Sequence, residues 1–579
     1  MASEAVIRSL DIRRRAVPND LYAALPPALN PVLRRVYAAR NVQAGEIDTG
    51  LAGLLPVSSL GGLAEAVGLL LDVRRAGGAV MVVGDYDADG ATASALLVAT
   101  LRRFGFPQVD YLVPNRFEYG YGLSVAVAEL AGQSRPALLV TVDNGVSSHA
   151  GVARARELGM RVLVTDHHLP GPTLPAADAI VNPNLDGEAF ASKALCGVGV
   201  VFYLLAALAR ALDGQGLQPY AQARPVLAEG LDIVALGTIA DLVPLDHNNR
   251  ILVSEGLRRI RKGRARPGIE ALFRVAGRDT AAARSADLGF AVAPRLNAAG
   301  RLTDMSLGIA CLLASDAGEA RALAARLDAL NVERQALQAR MLAEAESHLQ
   351  LADTVATGAD QAAHCLFDPG WHEGVVGLVA ARIKERTGRP AIAFARAEEP
   401  GMLKGSARSI NGVHIRDALA LVAARGQAPG MQFGGHAMAA GVRLPAASLE
   451  GFRQALDAAV AMQLALLEPD RVLWTDGPLE PGDLTLELAE QIQFAAPWGQ
   501  AFPEPLFQND FVVLERSVLR DRHLRLLLRH AAGDEPVEGI AFNETRQLGE
   551  TAGVVYRLGI NDYGGRRRRQ LVVEHIQSD

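Results

Sequence analysis

Cysteine is scarce in this chain of 579 residues: Cys196, Cys311 and Cys365 lie far apart with no CxxC pair. That spacing excludes a zinc ribbon and a disulfide framework. Lysine is scarcer still for its class, at Lys193, Lys262, Lys384 and Lys404, while arginine is abundant. With the high alanine content this fits a GC-rich genome, and no function is read from it. The net charge of −6 argues against a uniformly basic nucleic-acid surface, because phosphate affinity needs clustered cations. No segment reaches the ~20 apolar residues of a membrane span; the best candidate, 197–208, runs straight into Arg210 and reads as a buried helix. The start, MASEAVIRSLDIRRRAVPND, carries acids and proline where a secretory signal needs an unbroken apolar run. A cytoplasmic protein with no membrane association is expected.

What is present is apolar residues, 50% of the chain, against 21% charged. At this length one core is excluded, and roughly three or four domains are expected. Residues 1–57 look helical and proline-interrupted. From Gly78, apolar runs of strand length at 79–83, 109–113, 137–142 and 161–165 alternate with helix-period segments such as 91–104 and 147–158. That alternation predicts a doubly wound parallel α/β sheet, in a domain placed at 58–310. Asp316 to about Leu351 reads as a long helix with Asp316 as N-cap and Glu319 three positions on, although Asn331 could divide it; the connecting segment is placed at 311–351. A smaller α/β domain follows at 352–466, with a strand at 388–395. In 467–579 the runs RVLWTD, FVVLERSVL, HLRLLLRH, EGIAFN, GVVYRLGI and RQLVVEHI suit a small closed barrel.

The chemistry lies at the strand ends. AVMVV runs into GDYDADG with Asp85, Asp87 and Asp89; ALLVTV runs into Asp143-Asn144-Gly145; RVLVT runs into Asp166-His167-His168. In an open parallel sheet, ligands bind beyond the carboxyl ends of the strands. Taken singly, each Asp-Gly or Asn-Gly is a common turn, and GDYDADG could be a lone calcium loop. Three together bring enough negative charge into one crevice to need cations. Carboxylates with one or two imidazoles and no thiolate suit Mn²⁺ or Mg²⁺. Asp241, in the apolar run DIVALGTIADLVPL, is a further acid expected to be paired or metal-bound. His149 reads as a solvated helix residue.

GDYDADGATAS, VTVDNGVSS, VTDHH and LGTIADLVPL, in this order and spacing, resemble the four motifs of the DHH phosphoesterases. LKGSARS and FGGHAMAAG resemble the DHHA1 domain, and the C-terminal strands resemble an oligonucleotide-binding (OB) barrel. The resemblance implies one or two Mn²⁺ or Mg²⁺ ions on Asp87, Asp89, Asp143, His167 and Asp241, with Asp85 and Asp166 as direct or indirect ligands. Asp143 would be shared by two ions, one activating water and the other stabilising the leaving oxygen, and His168 would touch the scissile phosphate. It further implies 5′-to-3′ hydrolysis of single-stranded DNA to 5′-mononucleotides in repair and recombination. A monomer is expected, with a single-strand-binding protein and a RecQ-type helicase as partners. Other members of the family, which cut short oligonucleotides or cyclic dinucleotides, are typically shorter and lack the barrel. A catalytically silent relative would have eroded carboxylates.

Arg295 and Arg301 in APRLNAAGRL, and Arg408 in LKGSARS, sit among small residues that let a backbone approach. For an arbitrary arginine here a surface ion pair is the simpler reading. The resemblance assigns Arg301 to the scissile phosphate, and Arg408, with Ser406 and Arg116, to the chain-end phosphate. Gly434-Gly435-His436 could be a helix-capping turn; by resemblance, Gly435 and His436 offer backbone N–H groups and an imidazole to substrate. WHEGVVG is assigned only packing. PWGQAFPEPLF departs from the family, with Gln500-Ala501 where Gly-Asn is typical. On the barrel, Arg525, Arg529 and the run 566–569 are expected to track phosphates, with Trp474, Phe511, Phe542 and Tyr556 mostly in the core.

Overall fold

The structure, a computed structural model, describes residues 11–114, 119, 122–355, 361–465, 472–562 and 565–577. After β1 (Asp11–Arg14), β2 (Ala79–Gly84), β3 (Gln108–Leu112), β4 (Leu138–Val142), β5 (Arg161–Thr165) and β6 (Ala179–Val181) form a parallel sheet in the order β3-β2-β4-β5-β6. β4 is buried at all five positions, as an apolar run covered on both faces should be. On one face Val82, Val140 and Leu163 pack against the helices Ala88–Arg103 and Gly197–Gly214; on the other, Val83, Leu139 and Val164 pack against Val125–Gly132 and His149–Glu157. From β2 the chain builds outward to β3, then crosses to place β4 on β2's other side. The carboxyl ends of β2, β4 and β5 flank that switch point, where a crevice opens. The helix Gly197–Gly214 is apolar and long enough to cross a membrane by length and composition, but 72% of it is buried in the protein.

The helix Ala317–Val355 runs without a break for 39 residues, about 58 Å at 1.5 Å per residue. Asp316 caps it, its Oδ1 accepting the Glu319 N–H at 2.8 Å. Asn331 does not divide it; the residue is buried and accepts a hydrogen bond from Arg334. Ala320, Ala324 and Leu327 belong to the core of the first domain, and Met341 and Ala345 to that of the next. That second domain holds β7 (His364–Phe367), β8 (Ala391–Arg396), β9 (Met402–Arg408), β10 (Gln432–Gly435) and β11 (Ala439–Pro445), ordered β10-β11-β9-β8-β7. Its strand starts later than the sequence suggests, at Ala391, because Gly388 ends the preceding helix in a left-handed conformation (φ 65°).

β12 (Val472–Thr475), the RVLWTD segment, is not a barrel strand. It pairs in parallel with β1, so the N-terminal stretch is not purely helical either. The barrel is β13 (Phe507–Leu519), β14 (His523–His530), β15 (Pro536–Ala541), β16 (Thr551–Asn561) and β17 (Arg568–Gln577), closed in the order β13-β14-β15-β17-β16. Phe511 and Tyr556 fill its core, but Trp474 and Phe542 are 41% and 58% exposed: β12 lies outside the barrel, and Phe542 follows the end of β15. Tyr37, Leu245, Leu488, Phe502 and Tyr556 share one continuous core, so the C-terminal region is packed into the first domain rather than appended to it.

Candidate metal centre and phosphate pocket

Asp87 caps the helix Ala88–Arg103, its Oδ1 accepting the N–H groups of Asp89 (2.9 Å) and Gly90 (3.0 Å). Asp89, 1% exposed, accepts the N–H groups of Gly197 (2.6 Å) and Val198 (3.0 Å) in the first turn of the next core helix. Asp143 follows β4 with φ 62°, a left-handed conformation that Asp tolerates better than most residues. Asp241 ends the helix Leu231–Ala240. His167 Nε2 lies 3.1 Å from Asp143 Oδ1 and 3.5 Å from Asp241 Oδ2. Three ligand groups, each with atoms within 4.8 Å of one another, therefore overlap: Asp85, Asp87 and Asp143; Asp89, His167 and Asp241; Asp143, His167 and His168.

Asp166 stands apart from these groups. Its Oδ2 accepts the Val146 N–H at 2.9 Å; its Oδ1 accepts those of His167 (2.8 Å) and His168 (3.1 Å) and lies 2.8 Å from His168 Nδ1. Burial would raise this carboxyl, but the hydrogen bond and charge of His168 and the N–H groups hold it below its ordinary value. Burial lowers His168 in turn, yet Asp166, then Asp85 and Asp87, outweigh it and leave the imidazole pKa raised.

The other carboxylates are strained electrostatically. Burial first, then neighbouring carboxylates, pushes Asp143 and Asp241 well above the usual range, and burial with Asp87 raises Asp89 to about 7. Burial and His168 push His167 down to about 4, so its ring is neutral at pH 7. Asp143 Oδ1 and His167 Nε2 are both buried with no hydrogen-bond partner. At 3.1 Å from each other, these two atoms are satisfied by a proton between them or by a cation that lies near both. The donor set, carboxylates with imidazole, fits Mn²⁺ or Mg²⁺. Cys196 beside it is no competitor: burial pushes its thiol well up, and it pairs with Thr238.

Sequence reasoning missed the supports of this edge. Asn297 Oδ1 accepts the Ala88 N–H at 2.8 Å, pinning the GDYDADG loop. A Cβ on Gly300 would lie 1.9 Å from the Tyr86 carbonyl, and one on Gly197 2.5 Å from Asp143 Cβ. Both glycines admit a close approach that no other residue allows. APRLNAAGRL and CGVGV carried that signal in their runs of small residues, but nothing in the sequence names the partner.

In the second domain, Ser406 and Arg408 share one face of β9, with Arg408 Nη1 donating to Ser406 Oγ (2.8 Å) and the Ala407 carbonyl (2.7 Å). A Cβ on Gly377 would lie 2.9 Å from Ser406 Oγ and 3.0 Å from Arg408 Nη2. The N-terminus of the helix Val376–Thr387, which has no side-chain cap, therefore abuts the pair. Helix N–H groups, a hydroxyl and a guanidinium together form an anion site. WHEGVVG thus does more than pack: it walls this pocket, and Arg301 of the first domain reaches its Gly374 carbonyl at 3.3 Å. Arg295 takes the simpler reading, donating to Asp328 (2.8 Å) and Ala291. Gly434-Gly435-His436 is no helix cap: Gly434 and Gly435 end β10, paired with Gly441 and Ala440, and His436 opens the turn to β11. Gly435 needs glycine there (φ 142°, with a Cβ 2.4 Å from the Ala439 carbonyl). The His436 N–H is already used, donating to Ala439 O at 2.8 Å, so only the exposed imidazole remains to be offered. Arg116 lies outside the described residues.

Three family profiles match successive parts of the chain: the DHH family N-terminal domain at residues 79–238, the DHHA1 domain at 359–462 and the RecJ OB domain at 475–575. The chain is 49% identical to the single-stranded-DNA-specific exonuclease RecJ of Escherichia coli (strain K12), covering 98% of this chain and 99% of that one. It is 38% identical to the RecJ of Thermus thermophilus over 80% of this chain and 63% of that one. The crystal structure of Thermus thermophilus RecJ in complex with Mn²⁺ superposes with a TM-score of 0.81 at 31% identity, over 98% of this chain and 79% of that one. With an acid-lined sheet edge in the first domain, an anion site at Ser406 and Arg408 in the second, and relatives matched over nearly their full length, the chain belongs to the RecJ family of DHH-type exonucleases.

Proposed function

We propose that this protein is a cytoplasmic, metal-dependent exonuclease that hydrolyses single-stranded DNA from its 5′ end and releases 5′-mononucleotides in DNA repair and recombination. The observation that carries the reading is the clustering of Asp85, Asp87, Asp89, Asp143, His167 and Asp241 into overlapping ligand groups with atoms within 4.8 Å of one another, linked through Arg301 and Gly374 to the helix that abuts Ser406 and Arg408. Asp85, Asp87, Asp89, Asp143, His167 and Asp241 would hold Mn²⁺ or Mg²⁺, which when bound supply an acidified water and neutralise developing charge. Asp166 positions His168 through Nδ1, which leaves Nε2 as the ring atom to hold a proton against the scissile phosphate or its leaving 3′-oxygen. Arg301 fixes the approach of the two domains and lies within reach of the same phosphate. Ser406, Arg408 and the N–H groups around Gly377 take the 5′-terminal phosphate, with His436 and Arg116 assisting. A monomer, with a single-strand-binding protein and a RecQ-type helicase as partners, follows from the family resemblance.

The test uses single strands labelled at either end, with Mn²⁺ or Mg²⁺. The expected result is release of label as mononucleotide at once from the 5′ end and last from the 3′ end, with no activity in EDTA. Early release from the 3′ end, or cleavage of dinucleotides only, would overturn the reading.

A further inference from the structure

Beside the Asp-His-His turn that follows β5, the neighbouring strand β6 runs into Asn182-Pro183-Asn184, which brings amides rather than acids to the metal edge. Asn182 Nδ2 donates to the His168 carbonyl at 2.9 Å, and Asn184 Nδ2 to the His167 carbonyl at 2.6 Å. On the other side, Asp166 Oδ1 accepts the N–H groups of the same two residues. Each histidine is thus held at both ends of its main chain, the N–H by a carboxylate and the C=O by an amide. A fixed backbone restricts the rotamers of the two rings and so sets where they point.

The amides are themselves fixed. Asn182 is 0% exposed, and its Oδ1 accepts the Asn184 N–H at 2.8 Å, so the two side chains are oriented together. Pro183 between them locks φ. Lys193, one of only four lysines in the chain, sets its ammonium on main-chain carbonyls rather than on an acid: those of Pro183 and Glu188, each at 2.7 Å. Two residues on, the backbone of Leu195 hydrogen-bonds the His167 ring. The chain then enters the helix whose first N–H groups hold Asp89. One continuous segment, 182–198, therefore braces the histidine turn at its start and the acidic loop at its end.

We propose that Asn182, Asn184 and Lys193 are positioning residues for the histidine pair. Asn184 sets His167 against Asp143 and Asp241 as a metal ligand, Asn182 sets His168 against the scissile phosphate, and Lys193 braces the turn that carries both amides. The inference rests on the exonuclease reading above for the role of His168. All three side chains bond to main-chain carbonyls, so they act on the reaction only through the rings they orient. Groups that orient ligands from behind are worth about 10- to 100-fold in metal affinity or activity.

The test measures Mn²⁺ binding without DNA, by electron paramagnetic resonance of the free ion, beside turnover of a 5′-phosphorylated single strand at saturating Mn²⁺. Asn184→Asp keeps the shape of the side chain and loses the donor. Its added negative charge would by itself tighten cation binding, so a weaker complex identifies lost orientation. The expected loss in Mn²⁺ affinity is about 10- to 100-fold. Asn182→Asp should instead lower kcat at saturating Mn²⁺ by a similar factor, with KM and Mn²⁺ affinity nearly unchanged. Lys193→Ala, at an exposed side chain, should weaken Mn²⁺ binding less, and Lys193→Arg, which keeps donors for both carbonyls, should recover most of it. Unchanged Mn²⁺ affinity in Asn184→Asp and Lys193→Ala would overturn the proposal, as would a lowered thermal midpoint alone, the mark of a merely structural clamp. These two variants decide the matter even if the fully buried Asn182→Asp does not fold. If the unsubstituted protein binds Mn²⁺ but releases no mononucleotide from the 5′ end, the exonuclease reading has failed, and the Mn²⁺ measurements still decide whether the clamp orients His167.

Discussion

Two of the places where this protein buries charge have opposite outcomes. At the metal edge, Asp89, Asp143 and Asp241 are packed against one another and forced toward protonation. At the seam between the N-terminal and C-terminal regions, Arg40 and Asp476 are equally buried, with side chains 3% and 0% exposed. There the contacts are complete: Arg40 donates to both oxygens of Asp476 (2.6 and 3.0 Å) and to the Pro503 carbonyl, and Asp476 also accepts the Leu506 N–H. Burial alone therefore marks nothing. What distinguishes the metal edge is several carboxylates buried together, each raising the next, where the seam sets one carboxylate against one guanidinium.

The largest test of that contrast is Asp143→Asn, chosen over alanine because Asn tolerates φ 62°. Turnover should fall by several orders of magnitude, while the thermal midpoint of the metal-free protein rises as a repelled charge is removed. A fall in both would make Asp143 an ordinary structural acid. pH gives the same contrast without mutation. Asp89 has a folded pKa of about 7, above the ordinary value near 3.9. The native state then holds more protons than the unfolded one, so stability is fully present below pH ~4 and is lost as pH rises through ~7. The midpoint measured in chelator should drop from pH 5 to pH 8, and Mn²⁺ should restore it at pH 8. A midpoint rising with pH in chelator would contradict the assignment.

Asp476→Ala tests the other half. Breaking a paired buried charge costs about 3 to 5 kcal/mol, so the urea midpoint should fall sharply while kcat at low temperature is retained in the folded fraction. Deleting the chain from residue 472 would be a poor probe of the barrel, because it would strip Tyr37 and Leu245 of core partners.

Much of the metal edge was legible in the sequence, because each motif is a contiguous run at a strand end and alternating runs fix where the strands lie. What was hidden depends on distance along the chain or on backbone approach. β1 meets β12 across about 460 positions, Asn297 reaches back to Ala88, and Gly300 and Gly377 act by lacking a side chain. Arginines were ambiguous for the same reason. Arg295 has its acid on the long helix, whereas Arg408 donates to Ser406 and Ala407 on its own strand. The barrel run resembles Arg295: Arg567, Arg568 and Arg569 each lie near an acid, so the sequence overstated its free positive charge.

Arg408 lies between the two extremes, half-buried and donating to Ser406 and the Ala407 carbonyl. Arg408→Ala should weaken strands with a 5′-phosphate by about 1.5 to 3 kcal/mol relative to the same strands with a 5′-hydroxyl. Competition between the two substrates in one reaction measures this directly. Equal loss on both would make Arg408 a structural residue of β9.

The smallest effect concerns backbone rather than charge. Asp143 and Ala501 both hold left-handed conformations, at φ 62° and 57°, but only the first places a carboxylate in the acidic cluster. Ala501 closes the tight turn in which Gly499 and Phe502 exchange backbone hydrogen bonds at 2.9 and 3.1 Å, while the Gln500 carbonyl accepts the Leu245 N–H at 2.9 Å. Trp498 stacks on Phe502 across the turn, with ring centroids 5.2 Å apart. Gly-Asn, the pair typical of the family here, would hold the same turn with less strain. An L-residue in this region loses about 1 to 2 kcal/mol, and glycine returns roughly half of that as unfolded-state entropy. Ala501→Gly should therefore stabilise the seam by about 0.5 to 1 kcal/mol without changing kcat, and Ala501→Asn by less. Asp143→Gly relieves comparable strain, yet should abolish turnover. If Ala501→Gly lowers the thermal midpoint instead, the turn is held by its alanine contacts, and strain at the seam is not the counterpart of strain at the metal edge.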